Sequence, residues 1–357
     1  MLILAGPLQA QPILSFFNEM KSPELVRMFS DSAVTRDLQA LNAEIRMGLL
    51  DLTPERASVI RRLNKAGIPV TAWLLLPEEK GYWFHPGNGH EAKARYLEVR
   101  EWARQNRLSF KHIGLDMELD MNDVRLLRSD PWTLLAQLPG RLYDKSRIER
   151  AGSTYDSLLD IIRADGYTTE SYYASFVKDE VKLGNTALQQ LTGFMDIRTE
   201  REIPMLYGSF LGNPDGLLSV YGKDAGVTTV AIGSTGGGFD TSLPILTYDQ
   251  LVHDLRLASS FATEVHIFSL EGCVSRGFLS RLVNEDRSPL EYFDPQQTEA
   301  VRDMQTLFQW SSSMLNYPTA LLTVLIASTI LIPGLVIWLL LRLFRTLRRR
   351  SDIPAGR

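Results

Sequence analysis

Cysteine is almost absent from this sequence, since its 357 residues include one, Cys273. A single cysteine excludes an intrachain disulfide, so a folded domain has to rest on a hydrophobic core. The composition suits such a core, because 45% of the residues are apolar and 22% are charged. The length fits one barrel-sized domain with an appendage.

Positive charge is scarce outside the C-terminal end. Residues 342–357 contain six arginines and one aspartate, which leaves 32 basic and 41 acidic residues in the rest of the chain. A surface that binds nucleic acid has to be basic to neutralise phosphates. The acidic balance therefore argues against a nucleic-acid partner.

Charged residues are missing altogether from residues 318–341, a run of 24 residues that is long enough to cross a bilayer core. We expect a transmembrane helix there, preceded by a juxtamembrane linker at 311–317. The arginine-rich tail at 342–357 favours a cytoplasmic C-terminus, with the lipid bilayer as a partner. Because Met1 to Pro7 offers no basic leader, either the chain starts further upstream or the protein is tail-anchored, which leaves the side of the main domain open.

Apolar strand-like segments alternate with helical patterns eight times before residue 310. Eight strand–helix repeats predict an α/β fold, a (β/α)8 barrel of the TIM type over residues 1–310. A doubly wound open sheet is the alternative, although its glycine fingerprint after the first strand is absent. The predicted strands cover residues 11–19, 44–51, 69–76, 112–118, 167–175, 203–210, 227–234 and 264–271.

The fourth predicted strand ends in acid, with Gly114, Asp116 and Glu118 on one face. Carboxylates inside an apolar strand are costly to bury, which favours a strand that opens into a wet pocket. Barrel enzymes place their chemistry at the carboxyl ends of the strands. The candidate catalytic acids are therefore Asp116, Glu118, Asp120 after the same strand, and Glu271 after the eighth strand.

Further acids follow other predicted strands and are candidate substrate-binding groups. These are Glu19 after the first strand and Asp51 after the second. Glu170, in the fifth strand, is another acid expected near the same end of the barrel. If Glu271 points into the barrel mouth, strict alternation turns His266 and Phe268 towards the helices. His266 is then expected to be a packed core histidine.

The loop after the third strand, residues 77–89, is rich in aromatic residues. Its Tyr82 and Trp83 suit the apolar faces of sugar rings, and His85 and Asn88 lie close by in sequence. Tyr172 and Tyr207 could join the same platform. The alternative is a loop that folds its rings into a small core of its own.

The pentapeptide Gly114-Leu-Asp-Met-Glu118 resembles the acidic strand of chitinase-type hydrolases, glycoside hydrolase family 18, and of other barrel glycosidases. The resemblance implies that Glu118 is a general acid and that Asp116 holds and tunes it. Glu271 or Asp120 would then be the second carboxylate. Together with the expected anchor at 318–341, the resemblance favours a membrane-anchored hydrolase acting on or binding a carbohydrate. We expect no cofactor or metal.

The sequence leaves two other functions open. The glycine-rich segment Gly233–Gly238 could hold a phosphate after the seventh strand, with acids gathering a divalent cation, as in a phosphodiester or phosphosugar enzyme. The segment contains Ser234 and Thr235 where one glycosidase clan has its nucleophile. A sugar-binding barrel without turnover is therefore the third hypothesis.

Overall fold

The computed structural model describes residues 11–144, 146–238 and 242–316. Each predicted strand is present, although the sixth is shifted towards the N-terminus because a short helix begins at Gly208. The strands are β1 Ile13–Asn18, β2 Glu44–Leu49, β3 Val70–Leu74, β4 His112–Met117, β5 Thr168–Tyr173, β6 Arg201–Pro204, β7 Thr229–Gly233 and β8 Glu264–Phe268.

Helices fill the connections between the strands. Several begin at the capping residues that the sequence signals, such as Thr53 ahead of Pro54 and the Thr247 capping box. The α-helices are α1 Ser22–Met28, α2 Ser32–Ala40, α3 Pro54–Lys65, α4 Gly89–Asn106, α5 Met121–Ser129, α6 Pro131–Tyr143, α7 Ser146–Ala164, α8 Phe176–Lys182, α9 Ala187–Thr192, α10 Gly208–Leu211, α11 Pro214–Leu217, α12 Tyr248–Ala258, α13 Leu270–Ser275, α14 Phe278–Leu282 and α15 Pro295–Leu315. A 3-10 helix covers Glu78–Lys80 and a π-helix covers Leu218–Lys223.

The eight strands form one parallel sheet in the order β6-β5-β4-β3-β2-β1-β8-β7. The two ends of that order meet, because Met205, just after β6, bridges to Ala231 in β7 and Leu206 N donates to Ala231 O at 2.8 Å. The sheet is therefore closed. The predicted (β/α)8 barrel is confirmed, and the open-sheet alternative is wrong.

A buried ionic layer fills the amino-terminal end of the barrel. Arg46 is fully buried and its guanidinium lies 3.1 Å from Glu170 and 3.2 Å from Glu44. Arg201 pairs with Glu264 at 2.5 Å in the same layer. Buried charges are tolerated only when paired, so this layer seals the lower end of the barrel.

An aromatic layer lies above the ionic one. Phe17, Trp73 and Tyr172 meet edge to face with ring centroids 4.8 to 6.2 Å apart. Glycine makes room for them, because a Cβ at Gly114 would lie 2.3 Å from the Tyr172 hydroxyl. The three rings close the barrel interior and form the floor of its carboxyl-terminal mouth.

Helix α15 packs against α8, α9 and α11 on the outside of the barrel, beyond the predicted domain end at residue 310. No helix within the described residues is both long and apolar enough to cross a bilayer. The predicted transmembrane segment at 318–341 lies outside the described residues, as do the basic tail and the end of the predicted linker. The predicted boundaries of the linker, helix and tail therefore stay predictions.

Candidate active site

The carboxyl ends of the strands surround a cavity of about 170 Å³ above the aromatic floor. Strand alternation carries Asp116 and Glu118 of the β4 end into it. Glu19 faces it from the end of β1, which β2 and β3 separate from β4 in the ring. The lining residues are Phe17, Glu19, Trp73, Trp83, Asp116, Glu118, Tyr172, Met205, Tyr207, Phe210, Ser234, Gly237, Leu243 and Phe268. We call this space the mouth cavity.

Asp116 and Glu118 form a coupled pair at the end of β4. Burial raises the pKa of Asp116 well above its usual range, and the charges of Glu118 and Glu19 raise it further. Burial also raises the pKa of Glu118 to about 7, against a hydrogen bond from Asp116 that favours the charged form. Asp116 is thus the protonated partner, and Glu118 is the acid that titrates near neutral pH.

Glu19 reaches the mouth cavity from the end of β1 and is 8% exposed. Tyr82 Oη donates a hydrogen bond of 2.5 Å to Glu19 Oε1. Burial, followed by the charge of Glu19, holds the pKa of Tyr82 far above its usual range, so the phenol remains a donor. A hydrogen bond of this kind stabilises the carboxylate form of its acceptor.

Glu271 lies beneath the rim rather than among the residues that line the mouth cavity. Its two carboxyl oxygens accept from Asn18 Nδ2 at 2.9 Å and from the backbone N of Glu19 at 3.1 Å. Burial raises the pKa of Glu271 to about 7. These contacts place Glu271 where it orients the end of β1, and hence Glu19.

The expected orientation of the eighth strand is wrong. Phe268 lines the mouth cavity, and its ring centroid lies 6.2 Å from that of Phe17. His266 is fully buried inside the barrel, with its Nε2 2.6 Å from Thr229 Oγ1. The alternation of inward and outward side chains in β8 does not extend to Glu271, because β8 ends at Phe268 and α13 begins at Leu270. His266 is a packed core histidine, as expected.

The structure supports part of each interpretation of the aromatic loop at residues 77–89. Trp83 lines the mouth cavity and Tyr82 supports Glu19, which suits a ring platform. Asn88 instead holds the loop together, since its amide donates to Lys80 O and Trp83 O and its oxygen accepts from His85 N. The loop therefore builds a small polar core and presents one indole to the cavity.

His85 and Asp120 lie together beside the mouth rather than in it. His85 Nε2 is 3.7 Å from Asp120 Oδ2, and burial lowers the pKa of His85. Asp120 also caps α5 by accepting from Asn122 N at 2.8 Å. Neither residue lines the mouth cavity.

Two other predicted acids lie away from the mouth. Asp51 lies in a separate pocket formed by the segments after β1 and β2, where it accepts from Ser22, Thr53 and Arg56. These hydrogen bonds outweigh burial and lower its pKa. Glu170 belongs to the ionic layer at the opposite end. The expectation that Asp51 binds substrate in the mouth is not met by its position. Tyr172 and Tyr207, in contrast, both line the mouth cavity.

The glycine-rich segment after β7 packs directly on carboxylates. A Cβ at Gly237 would lie 2.3 Å from Glu271 Cγ, and one at Gly238 would lie 2.5 Å from Glu19 Oε2. Both glycines have positive φ, so their role is to let the loop cross over these acids. A phosphate placed here would face two acids, which does not favour the phosphate-binding hypothesis.

Within the described residues, no group of three His, Cys, Asp or Glu side chains is arranged to hold a metal ion.

Several residues of the cavity were not predicted from the sequence, among them Phe17, Trp73, Met205 and Phe268. Alternation along β1 and β3 could have revealed Phe17 and Trp73, because each lies two residues from another inward-facing residue of its strand. Met205 and Phe210 lie beyond the end of β6, where strand periodicity gives no orientation.

Comparison with known proteins supplies no family. No protein-family model and no curated protein sequence matches the chain. Solved structures with a similar barrel include the Escherichia coli 3-keto-D-glucoside 4-epimerase YcjR, at 16% identity over 84% of this chain and 99% of that chain with a TM-score of 0.40. The catalytic domain of a mannanase from Streptomyces sp. SirexAA-E matches at 11% identity over 80% of this chain and 88% of that chain, with a TM-score of 0.42. D-psicose 3-epimerase from Clostridium cellulolyticum H10, solved with D-tagatose, matches at 12% identity over 84% and 99%, with a TM-score of 0.38. Likenesses this distant carry no argument about activity.

Proposed function

We propose that the protein is a glycoside hydrolase whose reaction takes place in the mouth cavity. The observation that carries this proposal is that Glu118 and Glu19 reach one cavity from two different strand ends, with aromatic rings around them. Glycosidic cleavage needs a proton donor and a second carboxylate on opposite sides of one bond. The rings of Trp83, Tyr207 and Phe268 supply surfaces on which a sugar can stack.

Glu118 is the general acid in this proposal. A pKa of about 7 leaves a substantial protonated fraction near neutral pH, which is the condition for a proton donor. Asp116 stays protonated and donates to Glu118, so it stabilises the carboxylate that remains after proton transfer. Tyr207 is a neutral phenol, because burial and the neighbouring acids raise its pKa.

Glu19 is the second carboxylate, in preference to Glu271 and Asp120. It lines the cavity and accepts from Tyr82, whereas Glu271 lies behind it and bonds its backbone N. In the reaction, Glu118 gives its proton to the glycosidic oxygen and the bond from that oxygen to the sugar carbon breaks. Water supplies the hydroxyl that joins the sugar carbon, and its remaining proton returns to the carboxylates.

The test is a comparison of Glu118→Gln with the wild type on a panel of glycans, with and without chelator. We expect activity to fall by about 10²- to 10⁴-fold in the variant and to be insensitive to the chelator. The exposed Glu55→Gln is the matched control. Equal activity of Glu118→Gln and wild type removes Glu118 from its role, and loss on chelation alone favours the metal-dependent hypothesis. Saturable glycan binding without turnover by the wild type would support the sugar-binding hypothesis instead.

Attachment to a membrane through residues 318–341 is part of the same proposal. Its support is the uncharged run followed by arginines and, on α15, the exposed side chains of Leu307 and Trp310. We expect the full chain to remain with membranes after a high-salt wash and to be released in the double variant Ile330→Asp/Leu335→Asp. A full-length protein that is extracted by salt alone would contradict the anchor.

A further inference from the structure

A second cavity, of about 300 Å³, adjoins the mouth cavity and differs from it in chemistry. The two share Glu118, Met205, Tyr207 and Phe210 as lining residues. Because they share these side chains, the second cavity opens at the position of the general acid. We call it the side cavity.

The side cavity is apolar. Three of its rings form a continuous wall, since Phe176 stacks on Phe308 with centroids 5.4 Å apart and meets Phe194 edge to face at 5.3 Å. Met304, one turn before Phe308 on α15, extends this wall. Among its described lining residues, Glu118 alone carries a charge. Its other polar side-chain groups are the hydroxyls of Ser175, Tyr207 and Tyr221. These are too few to replace the hydrogen bonds to water that a second sugar would lose, so the lining favours an apolar occupant.

Apolar rings around a space of this size, at the edge of a polar site, are the usual construction of a pocket for the hydrophobic part of a ligand. The proposed reaction indicates where the hydrophobic part of the substrate would lie. Glu118 protonates the oxygen that leaves, so the leaving group lies on the Glu118 side of the sugar, where the side cavity begins.

We infer that the substrate is an amphiphilic glycoside whose sugar occupies the mouth cavity and whose leaving group is a hydrocarbon chain seated in the side cavity. The inference rests on the proposed function for the place of the sugar and the acid. The helix that supplies Met304 and Phe308 is followed in sequence by the apolar run at 318–341. A chain-bearing glycoside is the kind of substrate that a membrane surface presents.

Binding of n-octyl β-D-glucopyranoside and methyl β-D-glucopyranoside, below micellar concentration, tests the inference by calorimetry on the full-length protein. Each fully buried methylene strengthens binding about fourfold, so burial of two or more gives at least a tenfold preference for the octyl compound. We expect this preference in the wild type. Equal affinities, or no detectable binding of the octyl compound, would overturn the inference.

Two variants assign the preference to the side cavity. Ala174→Leu fills space in the lining, and Phe308→Ser removes part of the ring wall, so each should reduce the preference by at least fivefold. Leu307→Ser is the matched control, because Leu307 neighbours Phe308 on α15 but is exposed and outside the lining. A preference that survives both cavity variants unchanged would place the chain elsewhere and overturn the inference.

The same titration in Glu118→Gln separates the two proposals. Chain binding does not need proton transfer, so the octyl preference should persist in this variant while hydrolysis is lost. Loss of hydrolysis without any chain-length preference in the wild type would leave the glycosidase proposal standing and reject the hydrocarbon chain. A clear preference together with full hydrolysis in Glu118→Gln would keep the chain in the side cavity and remove Glu118 as the proton donor.

Discussion

Tyr82 Oη and Glu19 Oε1 are joined by a hydrogen bond of 2.5 Å that links the aromatic loop to the end of the first strand. Tyr82 is 5% exposed, and its backbone has a φ of 61°, which is unusual for a residue other than glycine. The loop thus holds its phenol against the acid from a constrained position. This contact ties the shape of residues 77–89 to the charge state of the site.

Tyr82→Phe should lower kcat by about 10- to 100-fold on whichever glycan the panel identifies. A hydrogen bond to a charged acceptor contributes about 1.5 to 3 kcal/mol, and the phenylalanine keeps the ring but loses the donor. Steady-state kinetics measure the change. Tyr292→Phe, at a ring that is 73% exposed, is the control and should match the wild type. An unchanged kcat in folded Tyr82→Phe would show that Glu19 needs no donor from the loop.

Asp116→Asn should retain more activity than Asp116→Ala, because an amide can still donate to Glu118 as the protonated acid does. In Asp116→Ala the hydrogen bond that favours charged Glu118 is lost. The pKa of Glu118 then rises further, so the alkaline limb of the kcat/KM profile should move to higher pH. An alkaline limb that stays in place or moves down would contradict a donor role for Asp116.

Glu271→Gln should reduce the pH dependence of stability. The folded-state pKa of about 7 lies above the reference value of 4.5, so the folded protein binds this proton more tightly than the unfolded chain. The corresponding stability is fully present below pH 4.5 and is lost as pH rises through 7. Its upper bound is about 3 kcal/mol. Denaturant unfolding at pH 4.5 and pH 8 should show a smaller difference for the variant, by about 1 to 3 kcal/mol. Identical pH dependence in both proteins would mean that Glu271 is not titrated by folding.

Gly114→Ala should destabilise the barrel by about 1 to 3 kcal/mol, because the added methyl would lie 2.3 Å from the Tyr172 hydroxyl within a packed aromatic layer. Gly140→Ala is the matched control: beyond its chain neighbours and the nearby backbone of its own helix α6, no described atom lies within 4 Å of its added Cβ. Chemical denaturation of both variants provides the comparison. Equal stabilities would show that the aromatic floor yields easily to an extra methyl.

Arg46→Met should cost about 3 to 5 kcal/mol of unfolding free energy, since it removes the nearest guanidinium from buried Glu170 and leaves only Arg201 at 3.8 Å. Arg104→Met, which removes an exposed pair with Glu101 on α4, should leave the unfolding midpoint unchanged. The two substitutions remove the same charge, so a similar midpoint in both would contradict the assigned role of the ionic layer.

The sequence determined the strands and the faces of β4. Eight apolar segments at barrel spacing predicted the closed sheet, because alternation of strands and helices leaves few other architectures for a chain of this length. Period-two alternation within β4 placed Asp116 and Glu118 on one inward face. Both inferences depend on local periodicity, which a sequence displays directly.

The tertiary structure decided which acids share the mouth. Asp51 and Glu19 each follow a strand, yet Asp51 pairs with Arg56 in a separate pocket while Glu19 faces the mouth cavity. The direction of a side chain beyond a strand end depends on the turn that follows and on distant partners, such as Tyr82 for Glu19 and Asn18 for Glu271. The side cavity depends on contacts between β5, the segment after β6 and α15, which are far apart in the chain. Local periodicity fixes the face of a residue within a strand, but long-range packing alone brings such separate segments together around one acid.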